Sequence, residues 1–134
     1  MATIRKIAAI VITDNTFLVV RKKGKNIWTS LGGKPEGNET EEETLKRETR
    51  EELDCRIKII RKLLDVTDKA VFDDAQVHLT FYLGELEGEP RIIDNELEEF
   101  RFIAHDYKKQ GTQLPPSLEN QVIPFCIKEG ILRW

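Results

Sequence analysis

The sequence predicts one α/β (α+β) domain, an α/β/α sandwich built around a mixed β-sheet. Three observations predict this class: strand-like segments lie before and after a helical segment, a second helical pattern follows the last strand, and the chain has 134 residues. With 40% apolar residues, this length suffices for one core and is too short for two ordinary domains. We therefore expect a single domain over residues 1–134.

The first predicted elements are a β-hairpin and a loop that leads into a helix. Residues 4–12 and 17–20 are β-branched and apolar, with the turn residues Asp14-Asn15 between them. A glycine-rich loop follows at residues 31–38. Thr40 and Glu43 have the spacing of a capping box, which predicts that a helix starts there and runs to about Leu53.

The second half of the chain predicts three strands and a closing helix. Residues 57–64 form one strand, and residues 76–83 alternate apolar and polar side chains as a half-buried strand does. A short strand over residues 97–103 precedes the break at Pro115-Pro116. The last helix is expected to start near Asn120, because Pro124 then falls in or near its first turn.

Composition argues against several classes of partner. The formal net charge is -3, so no basic excess is available to neutralise a nucleic-acid polymer. The longest apolar run, residues 7–12, is far shorter than the roughly twenty residues of a membrane helix. Cys55 and Cys126 show no metal-binding or disulfide spacing. We expect a soluble cytoplasmic protein without a targeting segment or a membrane partner.

The helix after the glycine-rich loop places three carboxylates on one face. At about 100° per residue, Glu48, Glu51 and Glu52 fall within a sector of roughly 100°. Crowded carboxylates favour a divalent cation such as Mg²⁺, which prefers oxygen ligands. A solvated, salt-bridged helix surface is the alternative interpretation of this run.

The segment as a whole resembles the Nudix box of the Nudix hydrolase family. Gly33, Glu39, Arg47-Glu48 and Glu51-Glu52 have the spacing of that motif, which here spans residues 33–55. The resemblance implies a Nudix-type α/β/α sandwich with a loop-helix Nudix motif. It also implies magnesium-dependent hydrolysis of a diphosphate linkage in a nucleotide, in a single Nudix hydrolase domain.

The resemblance further implies roles for the residues of the box. Glu48, Glu51 and Glu52 would bind Mg²⁺ (or Mn²⁺), with the Gly33 carbonyl as a further ligand. Arg47 would orient these carboxylates. Glu39 would connect the loop to the helix or approach the metal through water.

Two further residues have roles other than metal binding. Lys34 would face phosphate, and Glu96 is the candidate general base because family members recruit a glutamate from outside the box. Asp94, Glu98 and Glu99 compete with Glu96 for this role, and a solvated acidic loop is the alternative.

Four residues differ from those usual in the family motif. Most of them lie at positions that support the structure of the motif rather than its chemistry. Thr49 and Cys55 replace aliphatic residues, Asp54 replaces a glycine, and Leu31 replaces a frequent proline. Asp54 can adopt the left-handed conformation that ends a helix. These changes therefore bear on stability more than on chemistry.

Several residues are candidates for binding the rest of the substrate. Trp28, Phe81 and Tyr82 could stack, His78 could form a hydrogen bond, and Asn120 could contact a base edge. Each also has a structural interpretation: Phe81 is expected in the core, Tyr82 and His78 on a polar surface, and Asn120 at a helix cap.

Three functions stay open at this point. The first is hydrolysis of a nucleoside triphosphate, including an oxidised one, to monophosphate and pyrophosphate, as in mutator-type pyrophosphohydrolases, which residues 115–123 faintly resemble. The second is a pyrophosphatase for ADP-ribose, nucleotide sugars or dinucleotides. The third is a Nudix module that binds nucleotides without cutting them. The sequence leaves a homodimer open.

Overall fold

The computed structural model describes residues 2–69, 74–93 and 95–134. Within them the chain forms seven strands, a long helix and a short C-terminal helix. In order these are β1 (Thr3–Thr13), β2 (Thr16–Lys22), β3 (Trp28–Thr29), β4 (Leu31–Gly33), α1 (Glu41–Leu53), β5 (Arg56–Lys69), β6 (Gln76–Glu87), β7 (Leu97–Ile103) and α2 (Ile123–Lys128). A π-helical turn, Ser117–Val122, leads directly into α2.

The strands form a mixed sheet, as predicted. Strand β1 runs parallel to β6 and antiparallel to β2 and β4. Strand β5 pairs antiparallel with β6, while β2 also pairs with β3 and β7. The predicted hairpin turn is present, since Asp14 and Asn15 have φ values of 50° and 61°, which suit a tight turn of the I′ type.

Both faces of the sheet are covered, which confirms the α/β/α prediction. Successive residues of a strand point to opposite faces, and along β1 both sets are apolar and buried. Ile7 belongs to the core cluster that contains Leu45 of α1. Ile10 belongs to the cluster that contains Val122 and Cys126 near the C-terminus.

Helix α1 starts and ends as the sequence predicts. The Thr40 side chain accepts a hydrogen bond from the Glu43 amide at 3.1 Å, and the Glu43 carboxylate accepts one from the Thr40 amide at 2.9 Å. Asp54 ends the helix with φ 53°. Thr49 is fully buried and its hydroxyl donates to the Leu45 carbonyl at 2.7 Å, while Cys55 is buried.

The predicted start of the last helix was wrong. Helical structure begins at Ser117 rather than near Asn120, so Asn120 lies within the π-helical turn and caps nothing. The Ile123 amide donates to the Leu118 carbonyl, five residues back, just before the α-helix begins. Pro124 follows at the first turn of the α-helical part, where its missing amide costs little.

Gly32→Ala is expected to destabilise the fold by roughly 1–3 kcal/mol through overpacking. A Cβ at Gly32 would lie 2.1 Å from the Ile7 carbonyl oxygen across the β1–β4 pair, and φ here is 148°. Gly24→Ala is the matched control, because Gly24 also has positive φ but meets nothing within 4 Å. Urea unfolding of both variants checks this; equal losses would contradict the steric cause.

Candidate active site

A cavity of about 670 Å³ lies between the sheet, α1 and the start of the C-terminal helical segment. That volume is within the usual range of small-molecule sites. Its wall carries five acidic side chains, four lysines, one arginine and an apolar surface. The acidic residues are Glu36, Glu48, Glu51, Glu52 and Glu96. The lysines are Lys6, Lys22, Lys34 and Lys69. The apolar residues include Val77, Leu79, Phe81 and Leu118.

The three carboxylates of α1 line this cavity at different depths. Glu52 is the deepest, with 8% of the residue exposed. The Glu48 side chain is 17% exposed, and burial raises the pKa of its carboxyl group against the opposing effect of Arg47. The Glu51 side chain is 54% exposed at the rim. One helix face therefore presents carboxylates from the cavity floor to solvent.

Gly33 leaves space for one of these carboxylates. A Cβ on Gly33 would lie 2.4 Å from Oε1 of Glu48 and 2.5 Å from its Cδ. Any side chain here would occupy the place of the Glu48 carboxylate. Strand β4 and helix α1 thus bring Gly33 and Glu48 together at the cavity.

Arg47 connects the loop to the helix carboxylates. Its Nε donates to Glu39 at 2.7 Å, its Nη1 to Glu48 at 2.9 Å and to Glu51 at 3.2 Å. Its Nη2 also donates to the Lys34 carbonyl at 2.9 Å. A planar, forked guanidinium can satisfy these acceptors together, which lysine cannot. Arg47 therefore fixes the loop relative to Glu48 and Glu51.

Glu39→Gln is expected to lower stability at neutral pH and to have less effect in acid. The hydrogen bond from Arg47 is the largest cause that lowers the Glu39 pKa to about 2 from its ordinary 4.5. A depressed pKa stabilises the fold above pH 4.5, and this contribution is lost as the pH falls through about 2.

Melting temperatures measured by circular dichroism between pH 7 and pH 2 check this. Those of wild type and Glu39→Gln should differ at pH 7 and converge toward pH 2. Glu42→Gln, at an exposed site on α1, is the control. A difference that stays constant across the range would contradict the ionic cause.

The acidic segment before β7 contributes one residue to the cavity wall. Glu96 lines the cavity, whereas Glu98 is exposed outside it and Glu99 forms an ion pair with Arg21 at 2.9 Å. Asp94, another competitor for the base, lies outside the described residues. The structure thus favours Glu96 among the described candidates.

Lys34 lines the cavity, together with three lysines that sequence reasoning missed. Lys6, Lys22 and Lys69 come from β1, β2 and the end of β5, so they are distant in sequence. Because each of these lysines lies on a different strand, no short sequence motif contains them together. Only the order of strands in the sheet brings them to one wall.

Two of the three proposed stacking residues, Trp28 and Tyr82, lie outside the cavity. Trp28 is 4% exposed, and the guanidinium carbons of Arg101 and Arg21 lie 4.3 and 5.5 Å from its ring centroid. Tyr82 points to the face covered by α1, where its hydroxyl donates to Glu41 at 2.5 Å. Neither side chain lines the cavity.

The two polar candidates also lie outside the cavity wall. His78 is 3.3 Å from Asp65, measured from Nε2 to Oδ1, and the exposed Asn120 lies on the π-helical turn. Phe81 is buried in the core and also lines the cavity. Strand alternation identified the two faces of β6, but not which face borders the cavity.

The cavity carboxylates fit a hard divalent cation in their chemistry. Glu48, Glu51, Glu52 and the Gly33 carbonyl offer only oxygen donors, and Glu48 is partly desolvated. In the part of the chain that the structure describes, no group of three or more His, Cys, Asp or Glu side chains is arranged so that it could hold a metal ion. In Mg²⁺ sites, water and substrate phosphates supply part of the coordination, so fewer protein side chains need to converge.

Comparison with known proteins identifies the family of the chain. The model of the NUDIX domain matches residues 3–118, most of the chain and all of the loop and α1. The chain therefore belongs to the NUDIX family, and it is an enzyme of the pyrophosphohydrolase type. Members of this family generally use divalent metal ions. No match to a curated protein was found.

Solved structures show the same fold at low identity. The solution structure of the ORF135 protein of E. coli has a TM-score of 0.71 at 22% identity, covering 99% of this chain and 92% of that one. A MutT NUDIX hydrolase from Burkholderia pseudomallei has a TM-score of 0.70 at 23% identity, covering 79% and 86%. A NUDIX hydrolase from Nitrosomonas europaea has a TM-score of 0.80 at 16% identity, covering 99% and 97%.

No helix among the described residues is long and apolar enough to span a membrane.

Proposed function

We propose that the chain hydrolyses a nucleoside triphosphate, including oxidised forms, to a monophosphate and pyrophosphate with Mg²⁺. The observation that carries this is a single cavity that combines carboxylates, lysines and an apolar surface. Carboxylates suit a metal ion, lysines suit phosphates, and the apolar surface suits a base. The resemblance of residues 115–123 to mutator-type pyrophosphohydrolases supports this substrate class.

The metal-binding residues of the proposal are Glu48, Glu51, Glu52 and the Gly33 carbonyl. A bound divalent ion would neutralise charge on the phosphates and make a water molecule more acidic. Arg47 holds Glu48 and Glu51 in place through its hydrogen bonds.

The other groups act on the substrate and on water. Lys34 and the half-buried Lys6 and Lys22 set positive charge around the phosphate chain. The water oxygen forms a bond to phosphorus, Glu96 accepts the water proton, and a phosphorus–oxygen bond of the anhydride breaks. The leaving group, either the nucleoside monophosphate or pyrophosphate, takes the electron pair of the broken bond.

A panel of substrates with identification of the products tests this function. Triphosphates and oxidised triphosphates are incubated with Mg²⁺ or with EDTA, beside ADP-ribose, nucleotide sugars and dinucleotides. We expect pyrophosphate and monophosphate from a triphosphate, and no turnover with EDTA. Two phosphate monoesters from ADP-ribose without pyrophosphate release would favour the second function, and binding without any turnover would favour the third.

Glu96→Gln is expected to lower kcat by roughly 10²- to 10⁴-fold, the usual contribution of a general base. Folding should be unaffected, because Glu96 is exposed at the cavity rim. Steady-state kinetics of Glu96→Gln and of the control Glu98→Gln check this. Unchanged turnover in Glu96→Gln would remove Glu96 from the mechanism.

A further inference from the structure

The π-helical turn forms part of the cavity wall. Ser117 and Leu118 line the cavity, are almost fully buried, and lie beside Pro115 in the segment before α2. π-Helical turns are rare and less favourable than α-helical ones, and they concentrate at functional sites. A wall built on such a turn needs contacts from outside the helix to hold its shape.

Tyr107 supplies one such contact. Its hydroxyl donates to Oε1 of Glu119, on the π-helical turn, at 2.8 Å. Tyr107 is only 8% exposed, and its own loop is held by a hydrogen bond from the Thr112 amide to the Tyr107 carbonyl at 3.0 Å. The bond therefore joins two ordered segments and contacts neither the cavity nor the α1 carboxylates.

The C-terminal residue Trp134 packs against the Tyr107 ring. The Trp134 ring lies 5.9 Å from the Tyr107 ring, centroid to centroid. The Trp134 indole donates to the Asn15 carbonyl at 2.8 Å. Asn15 also exchanges two hydrogen bonds with the backbone of Arg133, at 2.9 and 2.7 Å. A continuous series of contacts thus runs from the β1–β2 turn through the C-terminus to the π-helical turn.

We propose that Tyr107, supported by Trp134, is a positioning residue that sets nucleotide affinity by fixing the π-helical turn at the cavity wall. This inference rests on the proposed function, since it takes the occupant of the cavity to be a nucleotide. The carboxylates that would hold the metal lie on α1, across the cavity, and Tyr107 contacts none of them. Loss of the Tyr107 hydroxyl therefore weakens binding and leaves the chemical step largely intact.

Tyr107→Phe tests this, because it removes the hydroxyl and keeps the ring against Trp134. We expect KM to rise roughly 5- to 10-fold with kcat within about twofold, since a hydrogen bond to a charged acceptor is lost. The dissociation constants of non-hydrolysable α,β-methylene nucleoside triphosphates, measured by calorimetry, should rise by the same factor. Glu119→Gln removes the charge from the half-exposed partner and should give a smaller change of the same kind.

Tyr82→Phe is the matched control. Tyr82 also donates its hydroxyl to a glutamate, Glu41, but on the face covered by α1 and away from the cavity. It should lower stability comparably without changing KM. In the double variant of Tyr107 and Glu119, the effects on KM should be less than additive, because the two side chains share one bond.

The outcomes separate the two proposals. Wild-type protein that neither binds the triphosphate analogues nor cuts triphosphates would overturn the proposed substrate. Wild-type protein that binds them, with unchanged KM and affinity in Tyr107→Phe, would overturn the positioning role alone. A fall in melting temperature without a change in KM would also overturn it, because the bond would then be only structural.

Discussion

Glu52→Gln is expected to lower kcat about 10³-fold, which corresponds to about 4 kcal/mol of transition-state stabilisation. Glu52 is the most buried of the three α1 carboxylates and lines the cavity. Charge acts more strongly in a partly desolvated site, where electrostatic stabilisation supplies much of catalysis. Glutamine keeps the shape of the side chain and removes the charge, so the folded structure should persist.

Steady-state kinetics with Mg²⁺ and calorimetric titration of Mg²⁺ or Mn²⁺ check this expectation. Glu42→Gln is the matched control, because Glu42 lies on the same helix, is exposed and does not line the cavity. It should retain activity. If Glu52→Gln turned over substrate as fast as Glu42→Gln, the charge of Glu52 would have no part in the reaction and the proposed metal site would lose its most buried carboxylate.

The parts of the fold that depend on near neighbours could be predicted from the sequence. The capping box of Thr40 and Glu43 forms as expected, and β7 has the predicted bounds, Leu97–Ile103. Asp54 adopts the left-handed conformation predicted for it. Each of these features involves residues within a few positions of one another, so local spacing determines it.

The parts that depend on distant pairing could not be predicted. Lys6 reaches the cavity because β1 pairs parallel with β6, which sets Lys6 opposite Leu79, seventy-odd residues away in the chain. Trp28 has the chemistry of a stacking residue, but the guanidinium of Arg101, which is distant in sequence, lies over its ring. The π-helical turn also escaped prediction, because its sequence pattern overlaps that of an ordinary helix start around Asn120.

Gly33→Ala is expected to lower kcat roughly 10- to 100-fold, the range seen when the support of a metal ligand is disturbed. The new methyl group would occupy the space 2.4 Å from Oε1 of Glu48, so the carboxylate must move. The end of a glutamate side chain can swing away, and the melting temperature should change little. Gly37→Ala is the control, since Gly37 lies in the same glycine-rich loop but a Cβ there meets nothing within 4 Å.

The cause can be separated from a general disturbance of the loop by shortening the displaced side chain. In the double variant Gly33→Ala/Glu48→Asp, the shorter side chain draws the carboxylate back by one methylene and relieves the collision. The drop in kcat on adding Gly33→Ala should therefore be smaller in the Glu48→Asp background than in wild type. Equal drops in both backgrounds would show that Gly33 acts through the loop backbone and not through the position of Glu48.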